Sequence, residues 1–145
     1  MRITDYPATN TISTPENIAS IMYAILSREE EIDQDKEHFW VIGLNTANHI
    51  KYIELVTLGI LDSTLIHPRE IFRLAIMQGV KSIILAHNHP GDNLKPSTAD
   101  EITTQNLVSA GEILNIQVLD HLIIGRKWTM EYKNYHSWKE SGGIK

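Results

Sequence analysis

His87 and His89 are separated by one residue, and seven residues after His89 the chain reads Ser97-Thr98-Ala99-Asp100. On an extended segment the two-residue period turns both imidazoles to one face, and a loop can bring the aspartate round to complete a set of three ligands. On zinc, three protein ligands leave a fourth position open. That separates a catalytic site from a closed structural one, because a water bound there ionises near neutral pH. The pattern therefore predicts metal-dependent hydrolysis. Each half also has a plainer account. Ser97 and Asp100 read as a helix cap and an acidic first turn, and a His-x-His pair at a strand end reads as an ordinary hydrogen-bonded pair. Capping alone gives no reason for two same-face histidines to precede the helix across a Pro-Gly loop, so the combination favours the metal.

The elements that must position these residues follow from the apolar periodicity. Thr14-Pro15-Glu16 starts a helix, with Ile18, Ile21, Met22, Ile25 and Leu26 as its buried stripe, running from about Pro15 to Glu30. An acidic, solvated connection from Glu29 to Glu37 leads to strands at Phe39 to Leu44 and Ile50 to Leu58, which form a hairpin. His67-Pro68-Arg69-Glu70 opens a second helix that buries Ile71, Leu74, Ala75 and either Ile76 or Val80, and Gly79 ends it. The nearly all-apolar segment Ser82 to His89 has the character of a central strand covered on both faces. A third helix from about Ser97 to Leu114 follows, then a strand from Gln117 to Ile124 and a last strand near Trp128 to Tyr132. This order predicts an α+β, three-layer α/β/α sandwich on a mixed central sheet. His87 and His89 then fall at the end of the central strand and Asp100 in the first turn of the next helix, where open sheets bind ligands.

Composition bounds the remaining classes. At 145 residues the chain fits one domain, large enough to bury roughly 68–70% of the surface of its unfolded form. With no cysteine, thiolate metal sites, disulfides and cysteine nucleophiles are excluded. The start Met1 to Pro7 lacks an apolar secretory core and no apolar run is long enough to span a bilayer, which points to a cytoplasmic protein with no membrane contact. The net charge of −5 argues against a general nucleic-acid coat. The last twenty residues run against that balance: Arg126, Lys127, Lys133, Lys139 and Lys145 alternate with Trp128, Tyr132, Tyr135 and Trp138. Such a stretch can hold a nucleic-acid strand by phosphate contact and stacking; a last strand with a packed tail is the plainer reading.

His-x-His, seven residues, Ser, two residues, Asp is the pattern of the JAMM (MPN+) metalloproteases, and the surrounding segments resemble the bacterial RadC-type branch. Those segments are Glu37-His38-Phe39-Trp40-Val41, Leu58-Gly59-Ile60-Leu61, His67-Pro68-Arg69-Glu70-Ile71-Phe72, Ile84 to Pro90 and Leu119 to Gly125, within a match from about Pro15 to Tyr132. The resemblance implies an MPN, cytidine-deaminase-like architecture over 15–134, with residues 1–14 as an extension and 135–145 as a tail. Longer RadC members carry an N-terminal helical region similar to helix-hairpin-helix modules, for which 145 residues leave no room.

Carried over residue by residue, the resemblance implies one Zn2+ ion held by His87, His89 and Asp100, with water as fourth ligand. Ser97 would orient the water or stabilise the oxyanion, and Glu37, at the head of its strand, would be the general acid/base. Glu70 is the competitor, with a structural ion pair or dipole role as its simpler account. The implied reaction is amide hydrolysis of a peptide or isopeptide, the substrate being an unidentified peptide or protein. The alternatives are a DNA-repair-associated nucleic-acid-binding module and an inactive MPN scaffold. A homo-oligomer is left open. The loop His89-Pro90-Gly91-Asp92-Asn93-Leu94 keeps the family's length but departs from its His-Pro-Ser-Gly-Asp-Pro chemistry, and Asn88 stands where eukaryotic-type members have Ser or Thr. The chain also lacks the insertions with which JAMM deubiquitinases hold ubiquitin, so deubiquitination is not expected. His121 is read either as a partner of a ligand histidine or as an ordinary strand histidine. His67 is read as shaping a helix start.

Overall fold

Apolar alternation along the strands decides how the layers stack. In the computed structural model, which describes residues 2–3, 14–59, 66–129 and 131–144, six strands form one mixed sheet. In chain order the elements are β1 (Arg2–Ile3), α1 (Pro15–Ser27), α2 (Glu31–Gln34), β2 (Glu37–Leu44), β3 (Ile50–Gly59), α3 (Pro68–Gln78), β4 (Ser82–Asn88), α4 (Thr98–Leu114), β5 (Gln117–Ile124) and β6 (Tyr135–Ser137). The sheet order is β1-β3-β2-β4-β5-β6, antiparallel throughout except for the parallel pair β4 and β5. Trp40, Ile42 and Leu44 of β2 with Ile84 and Ala86 of β4 pack under α1. The intervening Phe39, Val41, Ile83 and Leu85 pack under α3 and α4 on the opposite face. This is the α/β/α sandwich that the element order predicts, and no helix among the described residues is long and apolar enough to cross a membrane. Because Ile83 and Leu85 face α3 and α4, the period of two sends His87 to that face and Asn88 to the α1 face.

Local chemistry sets the ends. Thr14 caps α1 in a reciprocal capping box with Asn17, and Pro15 opens the helix. The apolar stripe finishes at Leu26, so α1 stops at Ser27 rather than near Glu30, and the acidic connection contains the short helix α2. Gly79 ends α3 in the left-handed region at φ 63°, Val80 is buried and Ile76 is exposed.

The strand expected near Trp128 to Tyr132 is corrected. The described residues there form a loop, closed by Gly125 N–H to the Asn134 carbonyl at 2.8 Å and Thr129 N–H to the Tyr132 carbonyl at 2.8 Å. The cause lies elsewhere in the chain: the Asp92 carboxylate accepts from the Arg126 and Lys127 N–H groups, which are then lost to any sheet ladder. The last strand comes later, pairing Tyr135, His136 and Ser137 with Ile124, Ile123 and Leu122. Buried Asp120 staples it, accepting from the Ser137 hydroxyl at 2.6 Å and the Lys139 N–H at 3.0 Å. The aromatics of this region are largely used inside the fold: Trp128 stacks on Tyr23 at 4.5 Å, Trp138 is buried, and Tyr132 is exposed. Arg126 meets Asp35, and Lys133 meets Glu16.

Gly43 is a position where packing forbids a side chain. It pairs with Tyr52 across β2 and β3 next to a bulge, and a Cβ on residue 43 would overlap the buried Tyr52 ring. Gly43→Ala is expected to destabilise the protein by about 1–3 kcal/mol, the range for overpacking a filled core. A denaturant midpoint equal to that of the wild type would show that the Tyr52 ring can move aside.

Candidate metal centre

β4 delivers His87 and ends at Asn88, so His89 is the first residue past the strand, where the chain is free to turn into the loop 90–97. α4 returns the chain to the same place. Its N-cap is Ser97, whose Oγ accepts from the Asp100 N–H at 3.0 Å while the Asp100 carboxylate accepts from the Ser97 N–H at 2.9 Å. Capping and convergence therefore coexist. The carboxylate that closes this box also faces both imidazoles, its oxygens lying 3.5 Å from His87 Nε2 and 3.4 Å from His89 Nε2, and the two Nε2 atoms are 3.0 Å apart.

Tetrahedral zinc with bonds of roughly 2.0–2.1 Å holds its ligand atoms about 3.3 Å from one another. The separations of 3.0 to 3.5 Å straddle that value, so the two nitrogens and the carboxylate fit such an ion. Among the described residues these three are the one His/Asp/Glu group close enough to hold a metal.

Two of the three ionisation states suit the same purpose, since ligands must be neutral imidazoles and a charged carboxylate. Burial alone would raise the Asp100 carboxyl, but the His87 and His89 imidazoles beside it and the Ser97 N–H outweigh burial and hold the group well below the usual carboxylate range. Burial lowers His87 and favours its neutral form. Burial pulls His89 down too, yet Asp100 and the Asn93 carbonyl more than compensate, and its proton is held more firmly than usual. A metal must displace that proton once the pH falls below the raised pKa of His89. Zinc affinity is therefore expected to decline as the solution is taken from neutral to mildly acidic, with a proton released on binding. Calorimetry in buffers of differing ionisation enthalpy reads this directly, and affinity that does not change with pH would overturn it.

Glu37 and Ser97 line the same cleft of about 400 Å³ as His87, His89 and Asp100. The antiparallel register pairs Phe39 with His87, so two residues further on Glu37 comes opposite the position of His89. Asn88, buried on the other face, fixes the backbone there. Its side chain accepts from the His38 N–H at 2.6 Å and donates to the Lys36 carbonyl at 3.0 Å, gripping the chain on both sides of Glu37. Glu70 is not among the cleft residues. It lies in the first turn of α3, with Arg69 Nε 3.9 Å from its carboxylate. His67 is the N-cap residue of α3 and makes no side-chain capping bond.

Three residues near the ligands gave weaker sequence signals or none. His121 is buried against His87, with Nε2 2.7 Å from His87 Nδ1, and Thr104 Oγ1 lies 2.6 Å from His121 Nδ1. Trp138, from beyond β6, stacks on the His121 ring at 4.3 Å. The strand pattern offers His121 as one of two readings, and the helical interval of seven from Ser97 to Thr104 was the available sign for the threonine. Trp138 gave no sign of its place, because a tertiary contact across the last strand puts it there.

A mixed sheet between helical layers, with His, His and Asp converging at the end of its parallel pair, defines a JAB/MPN-type domain with a ligand set suited to one metal ion. The chain belongs to the RadC-like JAB domain family, whose model matches residues 12–143. It is 45% identical to a UPF0758 protein of Desulforudis audaxviator over 115 residues, covering 79% of this chain and 48% of the relative. To a UPF0758 protein of Chlorobaculum parvum it is 48% identical over 103 residues, covering 71% of this chain and 46% of the relative. A UPF0758 protein of Methanosarcina mazei is 37% identical over 134 residues, 92% of this chain and 54% of the relative. The chain thus spans about half the length of these relatives, whose names state no activity.

Proposed function

We propose that this domain is a zinc-dependent hydrolase of amide bonds, acting on a peptide or isopeptide carbonyl. The observation that carries this reading is the convergence of three ligand atoms, 3.0 to 3.5 Å apart, in a cleft that Glu37 and Ser97 also line. When bound, zinc supplies Lewis acidity, polarising the scissile carbonyl and letting water ionise near neutral pH. His87, His89 and Asp100 would hold the ion at the wall of the cleft that Glu37 and Ser97 share. Glu37 takes the proton of the attacking water and returns it to the leaving amine, a role that requires it to be within hydrogen-bond reach of both. Ser97 uses its oxygen lone pair to cap α4, which leaves the hydroxyl proton to donate to the developing oxyanion.

The test is to incubate zinc-loaded protein, metal-stripped protein and Glu37→Gln with a mixed library of peptides, isopeptides and acylated lysines, reading products by mass spectrometry. Cleavage by the zinc-loaded wild type alone is expected. Equal cleavage by all three preparations, or none by any, rejects the reading.

A further inference from the structure

We propose that Thr104 and His121 are positioning residues that fix the tautomer of His87, so that its Nε2 lone pair faces the metal position. The proposal rests on the metal-centre reading above for its purpose, though not for its geometry.

Counting protons along the chain of contacts carries it. Thr104 Oγ1 lies 2.7 Å from the Asp100 backbone carbonyl and 2.6 Å from His121 Nδ1. A carbonyl only accepts, so the single hydroxyl proton goes to Asp100, and the hydroxyl oxygen must accept from His121 Nδ1–H. In a neutral ring that leaves His121 Nε2 as an acceptor, and what faces it, at 2.7 Å, is His87 Nδ1. His87 therefore carries its proton on Nδ1 and presents Nε2 unprotonated. The same count holds at the second ligand, where His89 Nδ1 lies 2.6 Å from the Asn93 carbonyl and must donate to it. Without a metal, a proton on His89 Nε2 bridges that ring to the Asp100 carboxylate 3.4 Å away, and it is this proton that the metal displaces.

The surroundings of His121 keep it neutral and in place. It is buried, stacked on Trp138 and met edge-on by Phe39 at 5.6 Å. Trp138 is tied in turn to α4, its Nε1 donating to Glu101 at 3.1 Å. α4 thus presents Ser97, Asp100 and Thr104 to one site, and the chain beyond β6 closes it from behind. Ligand histidines usually donate their second N–H to a carbonyl or carboxylate. Here the acceptor is another imidazole, which serves only in one tautomer, and Thr104 selects that tautomer.

Long-range 1H–15N correlation spectra of the metal-free protein distinguish the two tautomers of each ring. Nδ1–H is expected for both His87 and His121 in the wild type. Thr104→Val, which keeps the shape and removes the hydroxyl, is expected to let Nε2–H appear on His87 and to weaken zinc binding about tenfold or more. Thr104→Ser should restore both. His121→Phe keeps the stack on Trp138 but removes the acceptor, and should cost roughly 10–100-fold in zinc affinity. Nε2–H on His87 in the wild type overturns the proposal. So does Thr104→Val with unchanged tautomers and zinc affinity. If the wild type binds no zinc, the metal-centre reading fails, while the tautomers still decide whether the relay exists.

Discussion

Asp100→Ala is expected to lose zinc by on the order of a thousandfold, beyond the roughly 10–100-fold that partners of a ligand cost, because a charged ligand is itself removed. The carboxylate is the one anion of the ligand set, and both imidazoles approach it within 3.5 Å. The same change removes the acceptor of the Ser97 N–H, so a loss of about 1 kcal/mol in stability should accompany it, typical of a broken helix cap. Asp100→Asn separates the two effects, since its amide oxygen can still accept from Ser97 but carries no charge. It should keep most of the stability and little of the metal. Competition against a chromophoric chelator measures the affinity and a melting curve the stability. Undiminished zinc in Asp100→Ala would remove Asp100 from the ligand set.

Glu37→Gln is expected to do the opposite: zinc binds as in the wild type and turnover falls by roughly 10²–10⁴, the usual worth of a positioned general acid/base. The Asn88 side chain holds the backbone on both sides of residue 37 through the His38 N–H and the Lys36 carbonyl, so the amide should occupy the same place. The comparison is made on whichever peptide or isopeptide the wild type cleaves, with metal content measured on the same samples. Full turnover in Glu37→Gln would return the role to another group. A parallel loss of zinc would make Glu37 part of the metal site instead.

What the sequence discloses here depends on how local the cause is. β5 runs from Gln117 to Ile124 as read, because the apolar residues Val118, Leu119, Leu122, Ile123 and Ile124 on either side of Asp120 and His121 lie between the helix end at Asn115 and Gly125. The convergence of His87, His89 and Asp100 is similarly legible. A strand end, a seven-residue loop and a helix start are short-range features, and their spacing alone puts three side chains in one place. The last strand was misplaced because Asp92, some 34 residues away, takes the Arg126 and Lys127 amides that would have begun it. The contact of His121 with His87 depends on the parallel register of β4 and β5, which pairs His121 with Leu85 and Ile123 with His87, and no property of the His121 segment encodes that register. Asn88 was legible only as a departure from one branch of the family. Its work, bracing the chain either side of Glu37, appears once β2 and β4 are side by side.

The capping box at the head of α4 also bears on how such domains lose activity over evolutionary time. Ser97 and Asp100 satisfy each other's N–H groups whether or not an ion is present, so selection for a stable helix is enough to retain them after catalysis is abandoned. His89 has no comparable structural duty: among the described residues, the polar partners of its ring are the Asn93 carbonyl, His87 and Asp100. A lineage drifting toward a scaffold would shed His89 first and the Ser-x-x-Asp pair last. The histidine is therefore the better witness to working chemistry in any relative of this chain.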